Sequence, residues 1–510
     1  MNTSSHIVYF DEPKLTFGTG QNLESPKDGL FLFGPLKSDM NSGGIRVGVI
    51  GTAAGIKHFE RWAESIQGYI PAVESQSPQH RPFPGFSAVF GLDFPGDAFR
   101  KIEVTDAKIN EALYIADRHQ AIFKTVDVFA DPIAKHIATE DAPVDLWIVL
   151  IPDRVYEYGR PQSIVPKAIR VEGEQKSSKK IAKELINQRP LFAEDDAAAT
   201  PYYYELNFHN QMKARLLEGK SRAVIQIVRE STIAPHAFLN AKGEPSRRSQ
   251  DPATVAWNLC TTAYFKTGRR PWKLAGVRAG VCYIGLVFKK IETASDESAA
   301  CCGAQMFLDS GEGMVFRGAV GPWRSARAGE YHLSREAATN LISVVVRAYE
   351  DLHGTKPREL FIHGKTFFND DEWEGFQDAV SAQTTIVCVR IQNAKDLKLF
   401  RFGRHPMLRG TALIRNARTG YLWTRGYIPY FKTYPGRETP TPLRIDIVRG
   451  EASLQDVMRD VFGLTKLNFN ACIYGDGQPV TLRFADSVGE ILTAGPTDSD
   501  QPPLPFKHYI

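Results

Sequence analysis

At Trp272 the order of strand-like and helix-like stretches changes, and no other feature limits the fold of this chain as much. Up to that point the two types alternate. Residues 45–50 are apolar and β-branched, the glycines of 51–55 interrupt them, and 58–67 carry helical spacing. Residues 146–152 form an unbroken apolar run, as parallel strands need when both faces are buried. Helical spacing returns at 205–217, strand character at 223–228, and helical spacing again at 251–265. There Asp251 is placed to cap and Pro252 fits the first turn. Strand, helix, strand, helix in this order predicts an open α/β layer.

Beyond Trp272 the strands come in succession. Residues 281–289 and 299–308 read as strands, Ser310-Gly311-Glu312-Gly313 as a turn, and 314–317 as a third strand. A long helix follows at 335–352, with Ser334 as its cap and Gly354 beyond its end. Residues 359–363 return to strand, and another helix starts near Asp370. Three meandering strands, a helix and a strand that rejoins the sheet is the order of an RNase H-like domain. The predicted class is α/β: a lead-in over 1–40, a Rossmann-like domain over 41–272 and an RNase H-like domain over 273–510. A chain of 510 residues is long enough for two cores.

Composition excludes several classes. With 43% hydrophobic and 24% charged residues, the chain is not a disordered one. The longest apolar stretches, 146–151 and 283–288, fall far short of the ~20 residues a membrane helix needs. The start MNTSSHIVYFDEPK shows no export signal, so a cytoplasmic location is expected. Six cysteines, two of them adjacent at Cys301 and Cys302, show no zinc half-site spacing and read as reduced, buried thiols. A formal charge of +4 suits nucleic-acid binding only where basic residues cluster. Residues 167–183 and 193–201 read as solvated excursions.

An RNase H-like sheet cuts nucleic acid with two metal ions held by carboxylates, one in mid first strand and one at the end of the fourth. Leu286 stands at the first of these positions and His363 at the second. Leucine cannot ligand magnesium, and histidine suits zinc better than a hard cation. Asp309, Glu312, Asp370 and Asp371 lie nearby but fall in turns or helix starts. No catalytic residue is therefore expected, and the chain is expected not to be an enzyme.

A second cluster lies in the first domain. His209 and Lys213 share a helix face at i and i+4, Gln226 follows on the next strand, and Lys266 ends a helix with Thr262 one turn earlier. An imidazole, two ammonium groups and an amide can surround a phosphate. By spacing alone, a solvated helix face is the better reading of these residues.

The stretch Phe208-His209-Asn210-Gln211-Met212-Lys213, then Gln226, then Asn258-Leu259-Cys260 running to Lys266-Thr267-Gly268, resembles the MID-domain phosphate pocket of Argonautes. The similarity extends to Leu32-Phe33-Gly34-Pro35-Leu36, Pro271-Trp272-Lys273-Leu274, Leu464-Thr465-Lys466-Leu467-Asn468 and Phe484-Ala485-Asp486. With no room for PAZ or a full N-terminal domain, the chain resembles the short prokaryotic branch, a MID domain followed by an inactive PIWI domain. The resemblance implies that His209, Lys213, Gln226 and Lys266 hold the 5′ phosphate of a guide RNA. It implies too that the C-terminal carboxylate of Ile510 helps hold Mg2+ there, although an apolar terminus merely docked on the sheet fits 505–510 equally. Thr262 stands where some relatives carry Lys or Gln, as a possible metal contact. The implied partners are a target single-stranded DNA and an APAZ-containing effector protein, with a TIR domain preferred to a sirtuin-like one. The effector would deplete NAD in abortive infection, with a higher oligomer on activation.

The stretch Gly48-Val49-Ile50-Gly51-Thr52-Ala53-Ala54-Gly55 lacks the ending of a nucleotide-binding loop and reads as a strand-to-helix turn. His58, His332 and His405 show no ligand spacing. Arg401, Arg404, Arg409, Arg415, Arg418 and Arg425 interleave with aromatic residues; Arg404, Arg409 and Arg425 are the candidates for guide or target backbone, against ordinary surface arginines. An active nuclease and a structural subunit without nucleic acid are the rival readings.

Overall fold

The computed structural model describes residues 5–36, 44–73, 79–95, 100–140, 143–172, 199–218, 222–247, 250–290, 299–307, 313–322, 330–496 and 503–510. Most of both predicted excursions, together with Asp309, Ser310, Gly311 and Glu312, lies outside them.

In chain order the first strands are β1 (His6–Tyr9), β2 (Leu15–Thr16) and β3 (Asn22–Leu23). Then come β4 (Val47–Gly51), β5 (Arg100–Glu103), β6 (Leu146–Ile151) and β7 (Ile225–Arg229), which form a parallel sheet in the order β5-β4-β6-β7. All six residues of β6 are buried, as its unbroken apolar run requires. Side chains alternate across this sheet: Leu146, Ile148 and Leu150 face one core, Trp147, Val149 and Ile151 the other. Helix α1 (Ala53–Ser65) covers the first face after a turn in which the Thr52 hydroxyl accepts from Gly55 N. Helix α2 (Arg118–Thr139), capped by Asp117, covers the second with Ile122, Val126, Phe129 and Ile133. Its buried apolar residues recur at i, i+4, i+7 and i+11, a helix the sequence reading did not single out.

After β8 (Lys273–Leu274), which pairs with β2, the second half supplies β9 (Val281–Lys290), β10 (Ala299–Phe307), β11 (Gly313–Pro322), β12 (Glu359–Gly364), β13 (Thr385–Asn393), β14 (Thr411–Ile414), β15 (Thr419–Leu422), β16 (Leu443–Arg449) and β17 (Leu504–Pro505). These nine and β1 make one sheet in the order β1-β14-β15-β16-β13-β12-β9-β10-β11-β17. The β9-β10-β11 meander is antiparallel, and β12 rejoins it parallel to β9. That is the RNase H-like order expected. The connecting helix (Arg335–His353) begins at Ser334, whose hydroxyl accepts from Ala337 N, and ends at Gly354 with φ 70°. Glycine adopts that left-handed conformation without the steric penalty of a side chain.

The two sheets share a core. One continuous apolar cluster joins Val47, Val49 and Leu150 of the first sheet to Tyr283, Phe361 and Val389 of the second. Trp272 is buried between them; its indole N donates to the Lys466 carbonyl at 3.1 Å, and its ring packs on Phe17 and Phe469. The lead-in is woven in rather than appended. β1 extends the large sheet by pairing with β14, and Glu12 is buried against Arg409 and Lys466. Cys260, Cys282, Cys388 and Cys472 are free and buried. Among the described residues no helix is long and apolar enough to cross a membrane.

Candidate nucleic-acid interface

Helix α3 (Phe208–Leu217) starts at Asn207, whose side-chain oxygen accepts from His209 N at 3.1 Å and from Asn210 N at 3.4 Å. One turn apart on this helix, His209 and Lys213 share a face. Helix α4 (Pro252–Lys266), capped by Asp251, ends with its last lysine beneath β7. The Lys266 ammonium donates to the Ile225 carbonyl and to Gln226 Oε1, both at 2.7 Å. The Lys213 ammonium donates to the Tyr509 carbonyl at 3.0 Å.

Both lysines are buried, and among the described residues every acceptor they meet is neutral. Burial pushes the Lys213 ammonium down to about 7. Lys266 is held well below its ordinary value by burial and then by the charge of Lys213. His209 is crowded by protein, though solvent reaches its ring; that desolvation and the two lysines lower its pKa, against a contact with Asn210 Oδ1 at 3.2 Å. Two buried cations without a counterion are unfavourable as they stand. Their chemistry asks for an anion with several acceptor oxygens.

The structure thus brings His209, Lys213, Gln226 and Lys266 together. Ile510 is buried and follows Tyr509, whose carbonyl meets Lys213. The terminal carboxylate and the Gln226 amide oxygen are hard oxygen donors of the class that Mg2+ takes, so the residues suit that ion once phosphate oxygens join them. Thr262 is placed differently. It is buried, and its hydroxyl donates to the Asn258 carbonyl of its own helix at 2.8 Å. Sequence reasoning could not find the Tyr509 contact, because a main-chain carbonyl has no side-chain signature.

A cavity of about 510 Å³ opens beside His209, with Tyr156, Arg160 and Arg229 in its wall. The Arg160 and Arg229 guanidinium carbons stand 3.7 and 3.9 Å from the centre of the Tyr156 ring, on which both stack. Sequence reasoning missed these three residues, which share no spacing.

At the second sheet the structure corrects one expectation. In the parallel register of β12 and β9, His363 lies opposite Gly285, and both face the shared core. Leu286 points to the other side, among Ile284, Ile362 and Leu360. The position that shares a face with His363 is therefore Gly285, because neighbouring residues of a strand alternate. A Cβ at Gly285 would collide with the Thr481 carbonyl. His363 is buried, its Nδ1 lies 2.9 Å from Thr481 Oγ1, and burial pushes it down to about 3. Nearby, the Lys365 ammonium contacts both carboxylate oxygens of Asp486 at 2.8 Å. Asp370 and Asp371 lie in the first turn of the helix Asp370–Asp378, at its capping box, and Asp370 pairs with Arg449.

The arginines divide. Arg404 and Arg425 are exposed. Arg409 is buried: its guanidinium meets Glu12 at 2.9 Å, Thr465 Oγ1 at 2.7 Å and the Thr424 carbonyl. That side chain ties the lead-in to the large sheet and has no face left for a phosphate, a correction to its selection with the other two.

No protein-family model and no curated protein matches the chain. Solved structures do. The Clostridium butyricum Argonaute bound to a guide DNA and a 19-mer target DNA superposes on 98% of this chain with a TM-score of 0.63 at 13% identity. The chain has an Argonaute fold. Aa-Ago with externally bound siRNA gives the same picture, with a TM-score of 0.56 over 98% of the chain at 12% identity. The chain spans 54% and 56% of those two structures, about half their length. At 98% coverage each match takes in both the four-stranded and the ten-stranded sheet.

Proposed function

We propose that this chain is the guide-binding, target-sensing subunit of a prokaryotic immune complex. His209, Lys213, Gln226 and Lys266 hold the 5′ phosphate of a guide RNA, and the guide pairs with a single-stranded DNA across the PIWI face. The observation that carries this is the pair of buried ammonium groups, Lys213 and Lys266, facing only neutral acceptors. A phosphate dianion supplies the missing countercharge. When bound, Mg2+ would neutralise phosphate charge, held by the Ile510 carboxylate. His209 and Lys213, one turn apart on a capped helix, fix the phosphate's position, and Gln226 orients the Lys266 ammonium toward it.

Target cutting is outside this chain's chemistry in the same reading, because His363 and Gly285 supply no carboxylate for a metal pair. The response then belongs to a partner, an APAZ-containing effector with a TIR domain in preference to a sirtuin-like one. Target binding switches it on, with NAD depletion, assembly into a higher oligomer and abortive infection as the outcome.

The test is purification from the native host followed by end-labelling of bound nucleic acid. Short RNAs with 5′ phosphates are expected with the wild type and are absent from H209A/K213A. A wild-type protein free of nucleic acid would leave the structural-subunit reading in place. Guide-dependent cuts in complementary DNA with magnesium would establish the nuclease instead.

A further inference from the structure

Between β13 and β14 the chain runs out from the large sheet and back. Its returning limb is fixed: the His405 ring stacks on Tyr427 at 4.3 Å, and Tyr427 N donates to the Met407 carbonyl at 2.8 Å. The tip is bare. Phe400 is 79% exposed and Phe402 is 104% exposed. Gly403 turns the chain at φ 110°, and a Cβ there would meet nothing within 4 Å. Lys398, Arg401 and Arg404 alternate with the two rings, and no carboxylate occurs from Leu397 to Leu408. Among the described residues these five side chains make no hydrogen bond, ion pair or ring contact.

Two naked rings among three unpaired cations fit one kind of ligand better than others. Single-stranded nucleic acid offers flat bases to aromatic rings and a phosphate every nucleotide to the cations. The place agrees with the chemistry. β12 and β13 are parallel, so the loop leaves the same sheet end that carries His363 and Lys365. There Gln392 Nε2 donates to the Lys365 carbonyl at 2.8 Å, and Lys365 and Asn393 line a cavity of about 370 Å³. Asn393 is the last residue of β13, so the cavity opens at the root of the loop.

We propose that Phe400 and Phe402 stack on unpaired bases where a single strand leaves the guide–target duplex, while Lys398, Arg401 and Arg404 neutralise its phosphates. The inference rests on the reading that the PIWI face carries that duplex.

The experiment uses the guide-loaded full chain and two complementary DNA targets. One ends with the guide; the other runs on past it and carries 2-aminopurine in the unpaired part. Stacking quenches 2-aminopurine, so quenching is expected in the wild type and is lost in F400A/F402A. The same variant should bind the overhanging target about tenfold more weakly and the flush target equally well. Replacing Lys398, Arg401 and Arg404 by glutamine should lower the salt slope for the overhanging target by about 0.7 per lost contact. Equal fluorescence and equal affinity in wild type and F400A/F402A overturn the proposal. So does loss of a bound protein partner with nucleic-acid binding intact. An unguided 2-aminopurine oligonucleotide separates this inference from the guide reading. Phe-dependent quenching in a chain that loads no guide keeps the loop and discards the phosphate pocket.

Discussion

The Lys213 ammonium lies 3.0 Å from the carbonyl oxygen of Tyr509, a residue 296 positions away. This single contact joins the helix that carries half of the proposed phosphate pocket to Tyr509, and the first two predictions rest on it.

Guide affinity should fall as pH rises above 7. In the free protein, burial holds Lys213 at about 7, down from the ordinary 10.5. A bound phosphate restores the charge, so binding takes up a proton between those two values. Affinity therefore drops by up to about tenfold per pH unit for this lysine alone. Without guide the sign reverses. The folded value lies below the unfolded one, so stability rises as pH climbs from about 7 toward 10.5, by at most ~1.4 kcal/mol per unit. Guide titrations and melting curves from pH 7 to 9 read both; a flat affinity profile would count against the charged pocket.

Adding residues beyond Ile510 should weaken loading of a 5′-phosphorylated guide by roughly tenfold or more, by displacing the Tyr509 carbonyl from Lys213 and the Ile510 carboxylate from the proposed Mg2+. Chelating divalent ions should weaken it in the unextended chain and have less effect in the extended one. Equal guide affinity in all four measurements would refute both the carboxylate and the Mg2+.

The pocket was partly legible in the sequence, and the reason is geometric. His209 and Lys213 sit at helical spacing behind a capping Asn207, and Lys266 ends a helix whose cap and first proline are both visible. Their convergence was not legible, because it depends on the order β4-β6-β7 and on Tyr509 folding back. In the PIWI half, strand order could be read from apolar runs, but side-chain direction could not. One position of register separates Leu286 from Gly285 and sends the two to opposite faces. The lead-in was harder still: β1 is four residues long, and its partner β14 lies some four hundred positions away.

Arginine variants should fall into two classes. Arg409→Ala leaves Glu12 buried beside Lys466 alone and should lower stability by about 3–5 kcal/mol. Arg425→Gln should leave the melting temperature unchanged and reduce the salt slope of target binding by about 0.9, the value for a duplex phosphate, whereas Arg404→Gln should reduce it by about 0.7 and only for an overhanging target. Denaturant unfolding and binding titrations at several salt concentrations distinguish the classes; a stable R409A with a reduced salt slope would reverse the assignment.

Restoring carboxylates should not create a nuclease. His363→Asp places a carboxyl in a dry site against Thr481, and Gly285→Asp drives a side chain into the Thr481 backbone. The double variant should be less stable by several kcal/mol and still fail to cut complementary DNA with magnesium or manganese. Guide-dependent cleavage by the variant would show that the helix bearing Thr481 can move aside.

The buried contact of Glu12 with Arg409 and Lys466, like the pairing of β1 with β14, has a consequence for how the chain is made. On the ribosome the first strand emerges early and waits, its edge unmatched, until residues 411–414 follow. Glu12 waits longer, until Lys466 is out. The contact of Lys213 forms last of these, since it gains its carbonyl only when Tyr509 has left the exit tunnel. A chain made only as far as Lys466 therefore holds its first strand and Glu12 in place while the Lys213 ammonium still lacks the Tyr509 carbonyl.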